Sequence, residues 1–199
     1  MPTTPKRCTW PLKGNELYLE YHDKEWGVPA WDDATQFEFL ILEGAQAGLS
    51  WSTVLNKREG YRAAFADFDA EKIARFGKRD VAKLMNDANI IRNRQKIEAA
   101  ITNARLFLEF GGKNSFAKYM WSFVEGKPIQ NGFRDTKQVP ATSKESDALS
   151  KDLKKRGFKF VGSTIIYAHM QATGMVNDHL TTCFRYKECL ALAKGKKAG

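Results

Sequence analysis

At 199 residues, 43% of them hydrophobic, the chain can bury one substantial core or two small lobes that share an interface. Its longest apolar run, residues 39–42, falls far short of the roughly 20 residues a membrane-spanning helix needs, so a soluble protein without a membrane partner is expected. The formal net charge of +9 favours a polyanionic partner, nucleic acid foremost, and the five tryptophans supply rings on which bases stack. Three cysteines, an odd number, argue against a closed disulfide set, and the N-terminus lacks the apolar stretch of a secretory signal; a cytoplasmic setting is expected.

Tyr18, Tyr21 and His22, three and four apart, share one helical face near the start of the chain. Helical apolar spacing then marks residues 35–58, 61–76, 79–88, 92–110, 114–124, 145–156 and 163–174, and no segment alternates as a strand does, which predicts an all-α protein. Asp80, Asn114 or Ser115, and Thr142 or Ser143 suit N-caps; Gly60, Gly77, Gly111, Gly112, Gly157 and Gly174 suit helix stops. Residues 125–140, with Gly126, Pro128, Gly132 and Pro140, read as a long irregular connection that could separate two lobes. The basic tail, residues 191–199, is expected to be disordered.

Cys8 and His22 near one end face His179 and Cys183 near the other, and the last two are four apart, a spacing that sets an imidazole and a thiolate on one face. Four such ligands would close a structural zinc site tying the two ends together. Without a His-Glu-x-x-His helix, a catalytic zinc is not indicated. The same spacing also suits two buried thiols and two hydrogen-bonded histidines, and Cys189 could stand in for Cys183. His169, following an apolar run in its helix, is assigned to packing.

Glu43 ends the run 39–42 and precedes Gly44, Gln46, Gly48, Ser50 and Trp51. Burial would raise its pKa unless a donor or cation compensates, which suits a residue that holds a cationic ligand or moves a proton; an exposed glutamate beside two helix-packing glycines is the plainer alternative. Trp10, Tyr18, Tyr21 and Trp26 surround His22 in sequence and could form a slot for a flat cationic group or simply core. Residues 84–97 read as helix, tight turn and helix, with Arg92, Arg94 and Lys96 where backbone amides and cations could meet a phosphate. Residues 151–159 form a further basic run, of a kind that is usually a solvated face.

Taken in order, these residues resemble the 3-methyladenine DNA glycosylase I family over residues 7–184. The resemblance is carried by Arg7-Cys8-Thr9-Trp10, Tyr21-His22-Asp23-Lys24-Glu25-Trp26-Gly27-Val28-Pro29, Glu43-Gly44-Ala45-Gln46-Ala47-Gly48-Leu49-Ser50-Trp51, Gly157-Phe158-Lys159-Phe160-Val161-Gly162 and Val176-Asn177-Asp178-His179. Several long motifs in one order are far more specific than a single ligand pair. The resemblance implies an all-α helix-hairpin-helix fold, with residues 1–190 as one glycosylase unit and 60–125 as its hairpin lobe. It implies one structural zinc held by Cys8, His22, His179 and Cys183, leaving Cys189 outside.

The implied reaction is monofunctional hydrolysis of the N-glycosidic bond of 3-methyladenine in alkylated double-stranded DNA, releasing the free base after it is flipped out. Glu43 would recognise the lesion, with a possible catalytic role, and Trp10, Tyr18, Tyr21, Trp26, Gln46 and Trp51 would bind it. Asn89, Arg92, Arg94 and Lys96 would meet DNA phosphate. A monomer is expected. Two departures stand out: Asn89 occupies the usual hairpin glycine position, where a left-handed turn is expected, and His169 replaces an apolar aromatic and could border the pocket. The alternative from another class is a zinc-stabilised, non-catalytic nucleic-acid binding module, which would bind undamaged single strands without releasing a base.

Overall fold

The computed structural model describes residues 5–195, and these are mostly helical. The helices are α1 (Glu16–Lys24), α2 (Asp33–Gln46), α3 (Trp51–Leu55), α4 (Arg58–Ala64), α5 (Ala70–Ala74), α6 (Lys78–Asn86), α7 (Arg94–Leu108), α8 (Ser115–Ser122), α9 (Lys144–Lys155), α10 (Ser163–Ala172) and α11 (Phe184–Gly195). Two short strands depart from the all-α expectation: β1 (Ile129–Gln130) and β2 (Val176–Asn177) pair in parallel, Ile129 beside Val176. They stitch the long connection to the segment that follows α10. No helix among the described residues is long and apolar enough to cross a membrane.

The expected helix over 35–58 is broken after Gln46, because Gly48 takes a left-handed φ of +77° and the Ser50 side chain then caps α3 by accepting the Thr53 N–H. The expected helix over 61–76 is broken at Ala66–Phe68, which have φ of +52° to +57°, and Asp69 caps α5. Gly60 lies inside α4 rather than ending it. Asp80 is not an N-cap; Gly77 is, and its N–H donates to the Asp80 carboxylate at 2.8 Å. Ser143 caps α9 as expected, whereas Asn114 precedes α8 in a left-handed conformation and makes no side-chain cap. In the tail, residues 191–195 are helical, contrary to expectation, because α11 runs on through them; residues 196–199 lie outside the described residues.

Three apolar clusters meet on α2. Phe37, Ile41 and Leu42 pack with Val54, Phe65, Ile73, Leu84, Ile90 and Ile97 in the hairpin region. Leu40 packs with Phe116, Trp121, Leu149, Leu153, Ile166 and Met170 from the later helices, and Phe39 with Cys8, Tyr21, Trp26, Leu180 and Cys183 where the chain ends converge. A helix apolar around its whole circumference must be enclosed, and α2 is the central element.

The N-terminal segment is laced to the end of α10 by Gly27 N–H to Gln171 O and Ala30 N–H to Thr173 O, both 3.0 Å. Gly174 makes that approach possible: its φ is +67°, and a Cβ there would sit 2.4 Å from the Val28 carbonyl carbon. Gly174→Ala is therefore expected to cost about 3 kcal/mol, read as a lower urea midpoint with an unchanged m-value.

Candidate active site and metal centre

Glu43 sits in the last turn of α2, within the stretch that all three clusters enclose. It is 3% exposed, its Oε2 has no hydrogen-bond partner, and burial pushes its pKa up to about 8. The exposed-glutamate alternative is thereby set aside. Beside it opens a cavity of about 360 Å³, within the roughly 300–1,000 Å³ usual for small-molecule sites. Glu43, Trp10, Tyr18, Tyr21, Trp26, Gln46 and Trp51 all line it. Trp10 is the hub of the aromatic wall, its ring centroid 5.0 Å from that of Tyr18 and 5.1 Å from that of Trp26; Tyr21 and Trp51 are 5.3 Å apart. The phenols of Tyr18 and Tyr21 are pushed up by burial and then by the neighbouring Glu43.

Seven further residues line the same cavity: Cys8, Thr136, Val139, Ala168, Gln171, Asp178 and Leu180. Asp178 lies inside a motif visible in the sequence, but its side chain gave no sign of where it would point. Gln171 carried no signal at all. His169, expected as a possible border residue, is not part of the lining; it is fully buried, with Nε2 2.7 Å from Gln36 Oε1, and burial lowers its pKa to about 3. Its helical phase points it into the core while Ala168, one residue earlier, faces the cavity.

Behind Trp10 and Trp26, the side chains of Cys8, His22, His179 and Cys183 converge, all buried, with ligand atoms within 4.8 Å of one another. Cys8 Sγ and Cys183 Sγ each stand 3.7 Å from His179 Nδ1, and Cys183 Sγ is 3.6 Å from His22 Nε2. A tetrahedral ion with sulfur ligands at about 2.3 Å and nitrogen ligands at about 2.0–2.1 Å has sulfur–nitrogen edges of about 3.6 Å. The outer nitrogens are committed as such a site requires: His179 Nε2 is 2.9 Å from Trp26 O, and His22 Nδ1 is 2.8 Å from the Asp23 carboxylate, which Arg7 grips in turn. Hydrogen bonds from Cys8, His179 and His22 draw Cys183 toward the thiolate. The group could therefore hold a metal ion, and buried Cys189 stands outside it.

The family model described as methyladenine glycosylase matches residues 10–186. The chain belongs to the methyladenine glycosylase family. It is 50% identical over 182 residues to DNA-3-methyladenine glycosylase 1 of Escherichia coli (strain K12), covering 91% of this chain and 97% of that one. It is also 50% identical to the DNA-3-methyladenine glycosylase of Haemophilus influenzae, over 89% of this chain and 96% of the relative. Among solved structures, a crystal structure of 3-methyladenine DNA glycosylase I superposes with a TM-score of 0.87 at 52% identity, over 90% of this chain and 98% of the other. The Staphylococcus aureus enzyme, studied for its recognition of 3-methyladenine, superposes with a TM-score of 0.84 at 37% identity, over 89% and 95%.

In this methyladenine glycosylase the hairpin is formed by α6, residues 87–93 and α7. Asn89 is exposed, and its backbone is not in the left-handed region, contrary to the expectation for a glycine position; its N–H instead donates to Asp87 Oδ1 at 2.8 Å. The turn is seated on α4, where Gly60 has no Cβ to meet the Asn89 carbonyl oxygen, which would lie 2.3 Å away. Arg92 and Arg94 are exposed near the start of α7. Two of the three N–H donors of Lys96 are taken up within the fold. Its Nζ donates to Ala45 O at 2.7 Å and Ala47 O at 2.6 Å, capping the end of α2 just past Glu43. Lys96→Met is expected to cost about 1–2 kcal/mol on thermal unfolding while leaving the salt dependence of DNA affinity unchanged.

Proposed function

We infer that this chain is a monofunctional DNA-3-methyladenine glycosylase of base-excision repair. The observation that carries the reading is the composition of the cavity wall: aromatic rings, an unpartnered Glu43 carboxyl, and, among the described residues, no lysine or arginine. A flat, positively charged base fits such a wall, and a lysine that could form a Schiff base with the sugar is missing from it. The lesion nucleotide leaves the stack and enters the cavity. Its cationic base displaces the Glu43 proton and pairs with the carboxylate, in surroundings where water screens little.

Cleavage of the N-glycosidic bond returns its electron pair to the ring, so the base departs neutral. Water adds at the sugar carbon and loses a proton, leaving an abasic site. Because the leaving group carries its own positive charge, selective capture supplies much of the rate. Exposed Asn89, Arg92 and Arg94 are proposed to meet DNA phosphate around the hairpin.

The proposed ion at Cys8, His22, His179 and Cys183 is one structural zinc per chain. Four protein ligands leave no open position, so it supplies no reaction chemistry; when bound it fixes Trp10 and Trp26 against the α2 wall. Residues 1–190 are proposed to act as one unit, with 60–125 as its hairpin lobe, a cytoplasmic monomer on double-stranded DNA. The reading is tested by incubating the protein with methylated DNA and separating released bases by chromatography. Release of 3-methyladenine with little 7-methylguanine is expected; binding to undamaged single strands without base release would overturn it in favour of a non-catalytic binding module.

A further inference from the structure

We propose that Gln171 is a specificity-determining residue of this cavity, presenting a fixed hydrogen-bond acceptor to the base, and that buried Asp178 positions it. Asp178 is 2% exposed and lines the cavity, yet both of its carboxylate oxygens are engaged within the fold. Oδ1 accepts from Asn131 Nδ2 at 2.7 Å, and Oδ2 accepts from both Tyr167 Oη and Gln171 Nε2 at 2.8 Å. Tyr167 and Gln171, four apart on α10, converge on one oxygen because they share a helical face.

A carboxylate only accepts hydrogen bonds, so the Gln171 amide nitrogen must turn toward Asp178. The amide oxygen is thereby left over; among the described residues it has no partner, and Gln171 is a half-buried lining residue. The cavity thus offers acceptors from two walls, Glu43 on α2 and Gln171 on α10. A 6-amino purine answers them with donor hydrogens, whereas a 6-oxo purine sets its own oxygen against them. Gln171 would then be one source of the preference for methylated adenine over methylated guanine.

The inference rests on the glycosylase reading, and one assay separates their failures. Gln171→Met keeps length without polar atoms, and Gln171→Ala keeps the helix should the first variant fold poorly. Either is expected to lower kcat/KM for 3-methyladenine release about tenfold, with 7-methylguanine release unchanged or raised and metal content intact. Asp178→Asn can donate, so it lets the Gln171 amide turn over; it should cause the same loss, and adding it to Gln171→Met should cost little more. Unchanged selectivity in both Gln171 variants of an active wild type overturns the role of Gln171. Additive losses in the double variant overturn the positioning role of Asp178. A wild type that releases no 3-methyladenine overturns the functional reading itself, and this inference with it.

Discussion

Glu43→Gln is expected to lower kcat/KM for 3-methyladenine release by about 10²-fold, the worth of a buried hydrogen bond to a charged group, and at the same time to make the protein more stable above pH 5. The carboxyl's pKa rises from 4.5 to about 8 by burial. Between those values the folded protein keeps a proton that the unfolded chain has released, so wild-type stability falls as pH rises from about 4.5 to about 8 and is level on either side. At pH 7 the penalty is on the order of 3 kcal/mol. Glutamine has the same shape without the charge. After a deduction for its own imperfectly paired amide, the variant should gain on the order of 2 kcal/mol at pH 8, a melting temperature roughly 4–8 °C higher.

The activity of the wild type should follow the opposite course, rising with pH through about 8 as Glu43 ionises and can pair with a cationic base; the variant should lack that limb. A pH series of kcat/KM and of melting temperature on both proteins checks the two signs. Equal turnover in the variant would remove Glu43 from the mechanism. The site holds a destabilised group because its cost in stability is its usefulness to a cation.

Cys183→Ser is expected to abolish stoichiometric metal binding and to lower stability by on the order of 5 kcal/mol, since the proposed ion would close the loop between the two chain ends. For a chain of this size that corresponds to a melting temperature roughly 10–20 °C lower. Cys189→Ser, outside the cluster, should keep about one zinc per chain. Elemental analysis with differential scanning calorimetry distinguishes them. Because Trp10 packs 5.2 Å from His22 and Trp26 packs 4.6 Å from His179, loss of the ion should also weaken capture of the base. A metal-free variant of unchanged stability would refute the clip.

Much of the site could be read from the chain because chemistry-bearing residue types announce themselves by spacing and context. A glutamate at the end of an apolar run, a histidine and a cysteine four apart, and tyrosines three apart on a short helix all face the cavity or the cluster in the structure. Other features could not be read this way. Lys96 looks like a phosphate ligand in a basic run, but its position under the end of α2 depends on how α7 crosses α2. Asn89 stands where a left-handed glycine was expected, yet the turn closes through Asp87 instead. The helix α11 went unseen because its polar and apolar residues, among them Arg185, Lys187 and Cys189, mark no clear stripe. The strands β1 and β2 are each two residues long, too short for alternation to register.

Local spacing was thus enough for helical class and for Glu43 and the neighbouring aromatic residues as candidates, and the ordered motifs of the family resemblance then implied the set of four metal ligands. Packing decided the rest: that Glu43 is buried beside the cavity with its pKa pushed up to about 8, that Asp178 and Gln171 join the cavity wall, and that Lys96 serves a helix end. Those outcomes depend on contacts between segments far apart in the chain, and the free energies involved, desolvation above all, exist only once the segments meet.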